Sequence, residues 1–167
     1  LMFGSDTIFK FEFRGTIEEE YATYLYESAT QDHLTGVFNG HFLRDQMAVE
    51  FAWHKRHEKP LCVIFVDIDH FKQINDKYGH LVGDQILREL AERCLGATRT
   101  EDIFARYGGE EFTCLLRETS VEVATMLAER IRRAVEESPF KCKRSRRDYL
   151  VDVTISVGVA ESESRFE

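Results

Sequence analysis

The stretch "RYGGEEF", Arg106–Phe112, places two adjacent glycines and two glutamates between apolar runs. Paired glycines allow the positive φ angles that tight hairpin turns require. The flanking segments therefore predict two antiparallel strands, Ile103–Tyr107 and Phe112–Leu116, joined at Gly108-Gly109. The two glutamates would then lie at the tip of a hairpin.

Working outward, the run "LCVIFVDID", Leu61–Asp69, is almost continuously apolar, which is typical of a strand covered on both faces. Asp67 lies where this strand ends, and layered α/β sheets commonly bind ligands at such strand ends. If the hairpin lies beside this strand, Glu110 and Asp67 meet as two hard oxygen ligands, a pair that suits Mg²⁺. Alternatively, Glu110 and Glu111 are solvated turn residues, and spacing alone leaves both interpretations open.

Helical and strand patterns alternate along the rest of the chain, and this order predicts a sheet layered with helices. The other predicted elements are a strand over Asp6–Phe13, a helix over Thr16–Thr30, a helix capped by Asn39, helices over His70–Lys77, Gly83–Leu95 and Thr119–Glu137, and a last strand over Leu150–Ala160.

The helix over Thr16–Thr30 carries a narrow apolar stripe. Thr16 and Glu19 have the spacing of a capping box. The stripe consists of Ile17, Tyr21, Tyr24 and Leu25. Such a stripe either pairs with a partner helix or packs on its own domain, and both interpretations stay open.

Composition limits the class of protein. The 167 residues with 43% hydrophobic content predict one principal domain. A net charge of −8 disfavours nucleic-acid binding, which needs a concentrated cationic face. One basic cluster, over residues 141–147, is interpreted as a solvated hairpin, with a phosphate-binding patch as the alternative.

The chain also lacks the marks of a membrane or secreted protein. No apolar run approaches the roughly 18 to 20 residues needed to span a bilayer, and no signal-peptide pattern opens the sequence. The cysteines have neither disulfide nor metal-ligand spacing and are predicted to be reduced core thiols: Cys62, Cys94, Cys114 and Cys142. A cytosolic location is expected.

The motifs together resemble a known family. "RYGGEEF", "DIDHFKQINDKYGHLVGD" (Asp67–Asp84) and "DHLTGVFNG" (Asp32–Gly40) are similar to the GGDEF family of bacterial diguanylate cyclases, here in a GGEEF form. The resemblance runs from about Tyr21 to Ala160. It implies an α/β (α+β) fold of the palm or nucleotidyl-cyclase type, with a central, mostly antiparallel sheet flanked by helices. The expected division is a residual upstream strand over 1–15, a connector helix over 16–30 and the cyclase domain over 31–167.

The resemblance implies an activity and a metal site. The family condenses two GTP into cyclic di-GMP with release of pyrophosphate, as a facing homodimer with Mg²⁺ or Mn²⁺ on the phosphates. Its metal ligands match Asp67, the backbone carbonyl of Ile68, and Glu110. Glu110 is expected to help deprotonate the attacking hydroxyl, and Glu111 to support the active site.

Substrate contacts are carried over in the same way. The guanine-recognising pair matches Asn75 and Asp84, and a carboxylate suits the N1–H and N2–H₂ donors of guanine. Asp84 is also interpreted as a helix N-cap. The matches at the triphosphate end are Phe71, Lys72, Gly108 and Gly109. Backbone amides at a helix start and a lysine can bind phosphate there, and glycines allow close backbone approach.

A second site is implied upstream of the glycines. "RTED", Arg99–Asp102, matches the family's RxxD product-inhibition motif, and Arg130 matches a secondary arginine. Feedback inhibition by cyclic di-GMP is the expected consequence, since arginine can bond a guanine edge or a phosphate bidentately.

The sequence departs from the family pattern at Gly40, where an arginine is usual, so that a structural contact is expected to be looser. The family's C-terminal helix, with its phosphate-binding lysine and arginine, and its closing strand are not among these 167 residues; either the chain ends early or the remainder lies outside this sequence. A binding module without catalysis therefore stays open beside the cyclase, and a cyclase of mononucleotides is a third alternative. The first residues resemble the end of a forkhead-associated domain.

Overall fold

The computed structural model describes residues 17–145 and 147–162. Its helices are α1 (Ile17–Thr30), α2 (Gly40–His57), α3 (Phe71–Tyr78), α4 (His80–Leu95) and α5 (Val121–Glu136). Its strands are β1 (Phe38–Asn39), β2 (Leu61–Ile68), β3 (Ile103–Gly108), β4 (Glu111–Arg117), β5 (Phe140–Arg144), β6 (Arg147–Val151) and β7 (Ile155–Glu161).

The main sheet has the strand order β1-β3-β4-β2-β7. The β1–β3 pair is parallel, whereas the other three pairs are antiparallel. Strands β5 and β6 form a separate antiparallel hairpin. The prediction of a mostly antiparallel sheet flanked by helices is confirmed.

Apolar side chains cover both faces of this sheet, because successive residues of a strand point to opposite sides. On one face, Ile64 and Val66 of β2 pack with helices α3, α4 and α5 in the larger core. On the other, Leu43 of α2 packs against Leu61 and Leu115 in a smaller cluster. Asp67 of β2 is exposed.

The predicted hairpin is confirmed, and each strand is one or two residues longer than expected. Asn39 caps α2 as predicted, since its side chain accepts from the backbone N–H groups of His41 and Phe42. The four cysteines are free and buried. The basic cluster lies on the β5–β6 hairpin, which confirms that interpretation for its described members.

Two helix starts differ from the prediction. α4 begins at His80, so Asp84 is its fifth residue and the N-cap interpretation of Asp84 is wrong. The cap is Gly79, whose φ of 88° interrupts the helical path immediately before His80. The helix predicted to start at Thr119 begins at Val121 instead, with Ser120 as its N-cap, and the Thr119 hydroxyl donates to the Arg117 carbonyl.

The last predicted strand is two strands. Residues Arg147–Val151 pair with β5, whereas Ile155–Glu161 pair with β2, so the chain changes sheets between them. A run of apolar alternation cannot reveal this change of partner, because both segments alternate in the same way. The Asp69 N–H donates to the Thr154 carbonyl at 3.0 Å and fixes the corner.

The α1 stripe is open to solvent within this chain. Ile17 is 84% exposed and Tyr24 is 65% exposed, so the interpretation that the stripe packs on its own domain is wrong for the described residues. The connector role stays a prediction. The Asp6–Phe13 strand, its forkhead-associated resemblance and the Thr16 cap lie outside the described residues.

Gly40 makes a close contact rather than a loose one. An added Cβ there would lie 2.6 Å from the Tyr107 carbonyl oxygen.

No helix in the described part of the chain is both long and apolar enough to cross a bilayer.

Candidate active site

The Arg106 side chain stabilises the turn between β3 and β4. A bulge lies between Arg106 and Gly108, and Gly109 has a φ of 54°, which favours glycine. The Arg106 guanidinium donates to the Gly109 carbonyl at 2.9 and 2.7 Å. It also pairs with the Asp32 carboxylate at 3.2 Å.

Asp32 therefore ties the loop before α2 to the glutamate-bearing turn. Burial alone would raise the pKa of Asp32, but hydrogen bonds from Thr35 and the charge of Arg106 hold it below its usual value. Sequence reasoning missed this ion pair, although both residues stand in the quoted motifs. The available signal was an acid in the polar turn before α2 and an arginine within β3, next to the glycine turn.

The structure brings Asp67 and Glu110 together. Asp67, at the end of β2, is the cross-strand partner of Glu111 in β4, and Glu110 directly precedes Glu111 in the turn. Partial burial raises the pKa of Asp67, and the negative charges of Glu110 and Asp69 raise it further. Uncompensated negative charge at this point favours a bound cation.

Glu111 lies directly across the strand pair from Asp67, and both residues line one open cleft. The cleft has a volume of about 320 Å³, and Phe65, Asp67, Glu111 and Ser156 are among the residues that line it. The side chain of Ile68 is buried, so only its backbone could serve as a metal ligand. In the described part of the chain no three His, Cys, Asp or Glu side chains form a metal cluster. A cation held by two carboxylates and a carbonyl would need water or phosphate oxygens to complete its shell.

Asp69 connects two strands, a role that the sequence did not predict. Its carboxylate accepts from the Thr154 hydroxyl at 2.7 Å and from the Ser156 hydroxyl at 2.6 Å. These bonds lower the pKa of Asp69. They fasten the end of β2 to the start of β7, and so fix the strand end that carries Asp67.

Asn75 and Asp84 lie on the contacting helices α3 and α4. A Cβ added to Gly83 would lie 2.0 Å from Asn75 Oδ1, so the asparagine packs directly beside the residue before Asp84. Asn75 Oδ1 is buried with no hydrogen-bond partner in the described chain. The two predicted guanine ligands therefore lie on contacting helices near the α3–α4 junction.

The residues predicted at the triphosphate end are arranged around the start of α3. Phe71 is 7% exposed and packs in the core near Gly83, so its contribution to binding could come only from its backbone. Lys72 is exposed. The His70 carbonyl accepts from the third and fourth amides of the turn, which leaves the amides of Phe71 and Lys72 at the helix N-terminus. Space around Gly108 and Gly109 is open.

Arg99, Asp102 and Arg130 line one cleft of about 360 Å³. Burial raises the pKa of Asp102, while a hydrogen bond from Arg99 and the charges of both arginines oppose the rise. The Arg99 N–H donates to the Asp102 carboxylate at 2.8 Å, which closes a turn and leaves the arginine side chain exposed. Arg130 donates to the Ala97 carbonyl.

The five-stranded, mostly antiparallel sheet flanked by helices defines a mixed α/β domain. The family described as "Diguanylate cyclase, GGDEF domain" matches residues 29–166, and the chain belongs to that family. The resemblance found in the motifs is thereby confirmed.

Known relatives support the assignment. The chain is 40% identical over 134 residues to the response regulator PleD of Caulobacter vibrioides, covering 80% of this chain and 29% of PleD. It is 39% identical over 137 residues to the diguanylate cyclase DgcP of Pseudomonas aeruginosa, covering 82% of this chain and 20% of DgcP. The chain thus spans less than a third of the length of these relatives.

A solved structure supports the fold. The coiled coil and GGDEF domain of DgcB from Caulobacter crescentus, in complex with c-di-GMP, superposes with a TM-score of 0.82 at 31% identity. The match covers 88% of this chain and 76% of that one.

Proposed function

We propose that this chain is a diguanylate cyclase domain, which joins two GTP molecules into cyclic di-GMP with release of pyrophosphate. The observation that carries the proposal is the convergence of Asp67 and Glu110 at the end of β2, where partial burial and the negative charges of Glu110 and Asp69 raise the pKa of Asp67. Relatives named as diguanylate cyclases support the same reaction.

The donor set fits Mg²⁺ or Mn²⁺. Asp67, the Ile68 carbonyl and Glu110 would hold the cation, because hard oxygen ligands with remaining positions for phosphate are what Mg²⁺ prefers. A bound cation would screen the triphosphate charge and polarise the α-phosphate. Glu110 would accept the proton of the 3′-hydroxyl as it attacks, a role that requires hydrogen-bond reach to that hydroxyl.

Other residues select and orient GTP. Asn75 and Asp84 would bond the guanine edge, and Asp84 would repel the N1 acceptor of adenine. The amides of Phe71 and Lys72 at the start of α3, with the Lys72 ammonium, would bind the triphosphate.

Two protomers are needed, because each site holds one GTP and each 3′-hydroxyl must reach the α-phosphate of the other molecule. The chemistry then joins each 3′-oxygen to the opposite phosphorus and releases two pyrophosphates. In this scheme Arg99, Asp102 and Arg130 bind the product and restrain the domains, which gives feedback inhibition.

The test is product formation. The chain is incubated with GTP and Mg²⁺ or Mn²⁺, and nucleotides are separated by chromatography. Asp67→Asn and Glu110→Gln should each abolish cyclic di-GMP, whereas Glu92→Gln, an exposed acid on α4, should leave the yield unchanged. Linear or mononucleotide products alone would reject the proposal.

A second candidate is a binding module without catalysis. The cleft around Arg99 and Asp102 favours it, because that cleft is formed without any residue of the glycine turn. Binding of cyclic di-GMP by wild-type protein that forms none from GTP would select this alternative.

A further inference from the structure

A single glycine joins the helices that carry Asn75 and Asp84. Gly79 ends α3 and precedes α4, with φ 88° and ψ 156°. Its N–H donates to the Asn75 carbonyl at 2.8 Å. The position of Asn75 relative to Asp84 therefore depends on the torsions of Gly79, on the packing of Phe71 and Asn75 beside Gly83, and on any contact that restrains the joint from outside the two helices.

The β5–β6 hairpin supplies such a restraint on the α4 side. The Gln85 side chain donates from Nε2 to the Lys143 carbonyl at 2.8 Å and accepts at Oε1 from the Lys143 N–H at 2.8 Å. The same Nε2 donates to the Leu81 carbonyl at 2.8 Å. One amide thus fastens the first turns of α4, beside Asp84, to the backbone of β5.

Arg144 restrains the α3 side. Its guanidinium donates to the Tyr78 carbonyl, the last in α3, at 2.7 Å. It also lies against the joint, since a Cβ on Gly79 would be 2.8 Å from Nη1. A cation satisfies an otherwise unpaired carbonyl at a helix C-terminus and complements the helix dipole. The Tyr78 ring packs edge-on against Tyr149 of β6, with centroids 5.6 Å apart.

We propose that the β5–β6 hairpin is a positioning element of the guanine pocket, in addition to the direct packing of α3 on α4. Gln85 and Arg144 act through the Gly79 joint to hold Asn75 and Asp84 at the separation that one base requires. This inference rests on the proposed function, which assigns guanine to that pair. Gln85 and Arg144 are positioning residues, because each acts on the ends of the helices rather than on the base.

A loosened joint should weaken base recognition and spare phosphate binding. Groups that must engage one ligand together lose affinity when their relative geometry is no longer fixed. Removing the Gln85 hydrogen bonds should raise the Kd for GTP about tenfold, the scale of one net hydrogen bond. ITP lacks the 2-amino donor of guanine, so the preference for GTP over ITP should fall towards unity.

The experiment is a titration of the chain with GTP, ITP and inorganic tripolyphosphate, each with Mg²⁺. The variants are Gln85→Ala, Arg144→Ala and Arg144→Lys. Arg144→Lys keeps a cation and a donor for the Tyr78 carbonyl and should restore most of the GTP preference. Lys141→Ala is the matched control, because it removes one exposed charge from the same strand away from the joint.

A lower GTP preference in the alanine variants, with tripolyphosphate binding retained and the control unchanged, supports the inference. An unchanged preference in a folded variant, or equal weakening for all three ligands, overturns it and leaves the proposed function intact. Failure of wild-type protein to bind GTP overturns the proposed function and this inference together. If circular dichroism shows that Gln85→Ala is unfolded, the two Arg144 variants alone test the inference. The Arg144 side chain is exposed, so its replacement should leave the protein folded.

Discussion

Replacing Asp67 by asparagine should stabilise the metal-free protein at neutral pH while it abolishes metal-dependent activity. Folding raises the pKa of Asp67 through partial burial and the charges of Glu110 and Asp69. An acid with a raised pKa binds its proton more tightly in the folded state, so its ionisation destabilises the fold. Asparagine removes the charge and keeps the shape.

The expected gain is modest because Asp67 is exposed. Discounted for solvent screening, repulsion between such carboxylates contributes about 0.5 to 1 kcal/mol. For a domain of this size that corresponds to a rise in Tm of about 1 to 3 °C. The gain should vanish below the ordinary pKa of 3.8, where both proteins are uncharged at this position, and should grow as pH rises above it.

Asp69→Asn is the matched comparison and should have the opposite sign. Hydrogen bonds from Ser156 and Thr154 lower the pKa of Asp69, so its charge stabilises the fold above the ordinary value and that stability is lost as pH falls. The substitution should cost about 1 kcal/mol near neutral pH, on the scale of a partly screened, charge-assisted hydrogen bond.

The assay is urea unfolding of wild type and both variants in EDTA, from about pH 4 to about pH 8. Added Mg²⁺ should then stabilise wild type and leave Asp67→Asn unchanged, because ligand binding to the folded state alone raises its stability. A destabilised Asp67→Asn in EDTA at neutral pH, or a difference that does not shrink towards low pH, would refute the reasoning.

Three further outcomes are expected. Arg106→Ala should lower the free energy of unfolding by about 1 to 3 kcal/mol and reduce activity, since it removes the cation beside Asp32 and leaves the Gly109 carbonyl without its donor; a urea titration that detects no loss would contradict this. Arg99→Ala should raise the Kd for cyclic di-GMP about tenfold by calorimetry, with Arg56→Ala unchanged, and equal affinities would exclude the proposed clamp. Leu43→Ala should cost about 2 to 5 kcal/mol in urea unfolding, because the side chain is fully buried, and a smaller cost would question the second core.

The sequence predicted most of the sheet because its strands carry strong local signals. The glycine pair fixed the hairpin between β3 and β4, and the apolar run before Asp67 fixed β2. The start of α4 was misplaced by three residues, because a helix pattern does not reveal that Gly79 can cap two helices at once. The division of the last predicted strand into β6 and β7 near Val151 depends on which strands pair with each other. Strand pairing is a long-range property that local alternation does not reveal.

The sequence predicted which residues form the candidate site, but not the residues that hold them in position. Motif spacing identified Asp67 and Glu110, and the geometry brings them together. The supports were missed, because the pairing of Arg106 with Asp32 joins positions 74 residues apart. Gln85 likewise reaches a strand 58 residues away. Such contacts depend on tertiary arrangement, which single-sequence patterns do not encode.

Strand β2 lies between β4 and β7 in the sheet, and the residues on either side of Asp67 in this strand belong to the core. Val66 and Ile68 point into the larger core, and Asp67 points away from it. Inserting or deleting one residue between Pro60 and Asp67 would exchange these directions, burying a carboxylate and turning isoleucine towards water. Insertions or deletions in this segment must therefore contain an even number of residues. Only then does the Asp67 side chain stay on the face of the sheet where a nucleotide could bind.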